Sequence, residues 1–79
     1  MSSETKKVRT LDVRPLLAEG GQPFGKIMKA IAALQAGERL LLLTPFLPSP
    51  LIEKLQSEGL SARPERRSDG SWETQISRG

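Results

Sequence analysis

Arg14, Gln22, Lys26, Thr44 and Ser49 are the residues of this chain best placed to meet a ligand. They fall in or beside two stretches, residues 14–22 and 44–49, each of which follows a short apolar segment read as a strand and precedes one read as a helix. Loops of that kind leave the carboxyl ends of parallel strands, where open α/β sheets bind ligands, and the free amides of a helix's first turn favour negative charge there. The chemistry open to this set is recognition of a small anion. Capping alone also accounts for Ser49, and Arg14 can instead hold a carbonyl or a surface acid.

Covalent chemistry has little to work with. The 79 residues include no cysteine, which excludes disulfides, thiolate zinc sites, iron–sulfur ligation and persulfide carriage. They include no histidine, the usual general base and the usual partner of a nucleophilic serine, and no tyrosine. A lysine lowered by burial is the remaining nucleophile, yet Lys26 and Lys29 fall on the polar side of their helix. The carboxylates that a metal would need, Asp12, Glu19 and Glu38 among them, have no recognisable ligand spacing. The expectation is therefore a protein that is not an enzyme and has no cofactor or metal.

The elements that must position the five residues follow from periodicity. Glu38 to Gly59 is the organising stretch, and within it Leu40 to Leu43 are too few for a helix and show no polar alternation, as in a strand buried on both faces. Thr44 and Pro45 stop that strand. Ser49 as cap and Pro50 in the first turn then open a helix with Leu51, Ile52 and Leu55 on one stripe, closed by Gly59. Upstream, residues 8–13 read as a strand ended by Arg14-Pro15, residues 18–23 as a loop, and Phe24, Ile27, Met28, Ile31 and Leu34 as the buried stripe of a first helix that Gly37 closes. Residues 1–7 are polar and read as a disordered tail before a single domain over 8–78.

After Gly59, residues 60–67 and 71–77 read as a hairpin around Ser68-Asp69-Gly70. A two-residue turn would put Ala62 on the face of Glu73 and Gln75. A three-residue loop pairs Arg67 with Ser71 and aligns Leu60, Ala62 and Pro64 with Trp72, Thr74 and Ile76, so the apolar pattern selects it, with Gly70 left-handed. Pro64 cannot donate to a ladder, which assigns its strand to an edge. The order βαβαββ then gives an α/β (α+β) two-layer sandwich: a mixed four-stranded sheet of spatial order 1-2-4-3 with two helices on one face.

These residues resemble a known family. Leu11 to Leu16 (LDVRPL), Pro23 to Leu43, Pro45 to Leu51 (PFLPSPL) and the tryptophan-bearing last strand are similar to the TusA/SirA-like superfamily, and most of all to its cysteine-less branch, a domain of unknown function sometimes fused to hemerythrin-like domains. Sulfur-carrier members place a Cys-Pro pair at the start of the first helix, where this chain has Gln22-Pro23-Phe24-Gly25. The resemblance therefore implies the fold and not the persulfide chemistry. In the cysteine-less branch an acidic residue often follows the phenylalanine of the second loop, and here that residue is Leu47.

The expected function is a small binding or adaptor domain acting on another protein or on a small anion, as a monomer or weak homodimer. A sulfur-relay accessory subunit is one alternative. Another is an RNA-binding module using Arg63, Arg66 and Arg67, with Arg9 and Arg78 nearby. Base stacking wants exposed aromatics, and Trp72, Phe24 and Phe46 are the available ones, two of them read as buried; Glu65 and Glu73 interrupt the patch. Twelve basic and nine acidic residues leave a charge of +3, too mild to imply nucleic acid. No apolar run approaches the ~20 residues that span a membrane, and the chain reads as cytoplasmic. Two of the four leucines must point away from the helices, toward a contact or beneath long arginine stems.

Overall fold

In the computed structural model, which describes residues 8–78, the elements run β1 (Val8–Asp12), α1 (Arg14–Ala18), α2 (Phe24–Ala32), β2 (Arg39–Thr44), α3 (Ser49–Ser57), β3 (Leu60–Arg66) and β4 (Trp72–Arg78). The tail assigned to residues 1–7 lies outside the described residues. The sheet order is β1-β2-β4-β3, with β1 and β2 parallel and the other pairs antiparallel. This is the sheet expected from the leucine run and the hairpin. Among the described residues no helix is long and apolar enough to cross a membrane.

Side-chain alternation along β2 divides the molecule. Leu40 and Leu42, 1% and 0% exposed, join Ile27, Ile31 and Leu34 from the α2 side with Ile52 and Leu55 of α3 in one cluster that also takes in Val13, Ala62 and Ile76. Both helices therefore cover the same face. Leu41 and Leu43 point the other way. Leu41 is half-buried and Leu43 is 9% exposed, although no helix lies over them. Register explains the cover on Leu43: it pairs with Asp12 on one side and Glu73 on the other, and both carboxylates are held by arginines.

The hairpin has the three-residue loop that the apolar pattern requires. The Arg67 amide donates to the Ser71 carbonyl at 2.8 Å, the Gly70 amide donates to the Arg67 carbonyl at 3.0 Å, and Gly70 has φ of 89°. Ala62 pairs with Ile76 and Pro64 with Thr74, and β3 is an edge. Thr74 is fully buried on the helix-covered face, and its hydroxyl finds no hydrogen-bond partner among the described residues.

Four local readings change. Residues 14–18 form a single helical turn where a strand end was expected, because Pro15 in a first turn gives up no hydrogen bond and the Leu17 amide reaches the Val13 carbonyl at 2.9 Å. Ser49 is the first helical residue and not the cap; the preceding position is Pro48, and no side chain caps α3. Gly37 sits in the turn before β2, beyond the end of α2 at Ala32, with φ of 86°. The carbonyls at the end of α2 are met from far along the chain: Arg78 donates from Nε to the Leu34 carbonyl at 2.6 Å and from Nη2 to the Ile31 carbonyl at 2.9 Å. That removes Arg78 from the basic patch.

A fifth change concerns Phe24. It belongs to the helical stripe but is 55% exposed, because the first turn of α2 stands at the carboxyl edge of the sheet and its neighbours there are loops.

Candidate functional site

The carboxyl edge of β1 and β2 carries two unlike features, one charged and one apolar. The charged one is built around Arg14. Its Nε and Nη2 donate to the two oxygens of Asp12, both at 2.9 Å, and its Nη1 reaches Asp69 Oδ2 and Ser71 Oγ, both at 3.3 Å. A two-pronged bond of this kind fixes the guanidinium plane. Hydrogen bonds from the Arg14 side chain, and then from its amide, hold Asp12 down to about 2 from an ordinary 3.8. Asp12 raises Arg14 in return, chiefly through the same side-chain bond. Asp69 is lowered mainly by the Ser71 hydroxyl, which donates to Oδ1 at 2.6 Å, and then by the Ser71 amide at 2.9 Å. The cluster ties the end of β1 to the β3–β4 loop.

The apolar feature is a groove of about 370 Å³ between the starts of α2 and α3. One wall is Pro23, Phe24 and Ile27, the other Pro48, Pro50 and Leu51, and the floor carries Val13 and Thr44. Leu17 of the unforeseen α1 and Phe46 of the loop after β2 complete it. Phe24 and Phe46 are 55% and 53% exposed. Lys54 adds its aliphatic stem, while its ammonium pairs with Glu58 at 3.0 Å. Among the described residues no three metal-ligating side chains cluster here or elsewhere.

Of the five residues singled out for anion binding, only Thr44 lines this groove, and its hydroxyl donates to the Phe46 carbonyl at 2.6 Å, folding the loop that presents Phe46. Arg14 is engaged by Asp12 and Asp69. Gln22, Lys26 and Ser49 are exposed and lie outside the groove lining. The basic triplet is also divided: strand alternation puts Arg63 and Arg66 on opposite faces of β3, and Arg67 pairs with Glu73 at 2.8 Å.

The groove's aromatic residues had a signal in the sequence. Pro23-Phe24 and Pro45-Phe46 repeat one dipeptide ahead of two successive helices. A phenylalanine placed beside a proline at a helix entrance sits where the sheet has ended. Helical periodicity alone assigned Phe24 to the core.

A family model described as an uncharacterized conserved protein (DUF2249) matches residues 10–78, which takes in every element except the first two residues of β1. No curated protein and no solved structure matches the chain.

Proposed function

The chain belongs to the DUF2249 family, and we propose that it works as a cytoplasmic, non-catalytic binding domain of the TusA/SirA-like type, taking an apolar element of a partner protein into the groove between α2 and α3. The exposure of Phe24 and Phe46 on either side of an apolar floor carries this reading. Two half-exposed aromatic rings beside a preformed hollow are the anchor arrangement of protein interfaces, where buried aromatics supply most of the binding energy. Three prolines in the walls limit what must be ordered on binding.

The same geometry favours binding over catalysis. Among the described residues nothing in the groove can serve as an activated nucleophile: the lining contains Thr44, whose hydroxyl is donated to its own loop, and Lys54, whose ammonium is paired. In the sulfur carriers that the chain resembles, the start of this helix bears the reactive cysteine; here Gln22 and Pro23 occupy it, and the surface at that point is an apolar wall.

Affinity capture from the native cells, with the wild-type domain and a Phe24→Asp/Phe46→Asp variant as baits, tests the reading. Each captured protein is then purified and titrated into the isotope-labelled domain. A partner retained by the wild type alone, which shifts the methyl signals of Leu17 and Leu51, supports it. Equal retention by both baits, or shifts confined to the opposite face of the sheet, overturns it.

A further inference from the structure

Away from the groove, we propose that the uncovered face of the sheet holds a binding site for the phosphate group of a small phosphorylated molecule, formed by Arg39, Arg63, Ser61, Ser77 and Gln75. These five side chains line one hollow of about 260 Å³. Register brings them together from three strands: Arg39, Ser77 and Ser61 form one cross-strand row, and Leu41, Gln75 and Arg63 form the next. The two arginines stand on the outer strands of this trio, with Ser77 and Gln75 of β4 between them. Neighbouring strands are ~4.8 Å apart, so the two side chains approach the middle from opposite sides with room between them for one tetrahedral anion.

Charge sets the hollow apart on this face of the sheet. Arg14, Arg67 and Arg78 are each engaged, by Asp12 and Asp69, by Glu73, and by the carbonyls ending α2. Among the described residues Arg39 and Arg63 have neither an ion pair nor a side-chain hydrogen bond, and no acid stands in either of their rows. Two guanidinium groups facing one hollow repel each other, and an anion between them turns that repulsion into attraction. Two serine hydroxyls and the Gln75 amide add neutral donors.

The geometry selects the class of anion. One arginine fork saturates a carboxylate, whose two oxygens lie in a plane, whereas forks on opposite sides with donors beneath suit the oxygens of a phosphate. The hollow exceeds the ~30 Å³ that one water occupies by enough to admit the group carrying the phosphate. A nucleic-acid strand fits less well. The next row along holds Glu73 and Glu65, directly opposed, so an extended polyanion leaving the arginines in that direction meets two carboxylates.

Titration of inorganic phosphate into the labelled domain at constant ionic strength, followed by amide and arginine Nε signals, tests the site. Saturable shifts at Ser61, Arg63, Gln75, Ser77 and Arg39 support it, as does loss of affinity by about tenfold or more in Arg39→Gln and Arg63→Gln, which removes one charged hydrogen-bonding group each. Arg9→Gln, on the opposite face of the sheet, leaves the affinity unchanged. Shifts that rise linearly without saturating, equal shifts with acetate, or unaltered binding by both variants overturn the proposal. Binding of a single-stranded oligonucleotide to this face without any response to phosphate also overturns it, replacing the small ligand by nucleic acid.

Discussion

Leu40 and Leu42 are buried by other apolar side chains, packed beneath two helices; Leu43, on the reverse of the same strand, reaches 9% exposure between two carboxylates that arginines hold. On the helical face the neighbours of the leucines are Ile27, Ile31, Ile52, Leu55 and Ile76. On the open face Asp12 and Glu73 flank Leu43, and Arg14 and Arg67 bridge outward from them to Asp69 and back across the hairpin. Burial along one strand thus has two physical bases. Removal from water by packing depends on shape, and removal by a polar roof depends on charge and on the order of long side chains.

The difference is largest in truncation. Leu42→Ala leaves a hollow with no means of collapse and lowers stability by about 3 to 5 kcal/mol, whereas Leu43→Ala, whose neighbours can settle or admit water, costs about 2 kcal/mol or less. Urea unfolding of both variants measures this, and equal losses would break the distinction between the faces. Arg78→Ala comes next. It strips two carbonyls at the end of α2 of a charged donor and lowers stability by about 1 to 3 kcal/mol, with accelerated amide exchange in residues 31–35.

Thr74→Val sharpens the comparison with the opposite sign. The helical face contains a buried hydroxyl without a partner among the described residues, so an isosteric apolar side chain should stabilise the fold by about 1 kcal/mol. The smallest effect belongs to the roof. Asp12 is lowered in the folded state, so its contribution is complete above the ordinary value of 3.8 and disappears as pH falls through about 2. Its side chain is 36% exposed, and screening holds the contribution below about 1 kcal/mol. Asp12→Asn should lower the urea midpoint slightly at neutral pH, converge with the wild type below pH 2, and flatten the acid limb between; a variant that follows the wild type throughout would show that the Asp12 pair does not cover Leu43.

What the sequence disclosed follows the range of the interactions involved. The leucine strand, the hairpin register and the edge position of Pro64 rest on the local apolar pattern and on backbone rules that act within a few residues, and all three stand as read. The turn over residues 14–18 was hidden because five residues cannot display a helical period. The exposure of Phe24 was hidden because periodicity says which side of a helix is apolar and not where the sheet beneath it ends. Arg78 was grouped with other basic residues because its partners, Ile31 and Leu34, are 47 and 44 positions away. The phosphate hollow requires three strands in register, and its residues, read singly, are ordinary surface polar groups.

The placing of β4 between β2 and β3 has a consequence during folding. Until β4 docks, β2 has at most β1 as a neighbour and presents its other edge, four leucines long, unpaired. In that state the most apolar strand of the chain is an open template for another copy or a chaperone, and only the hairpin, which delivers β4 into the middle of the sheet, closes it.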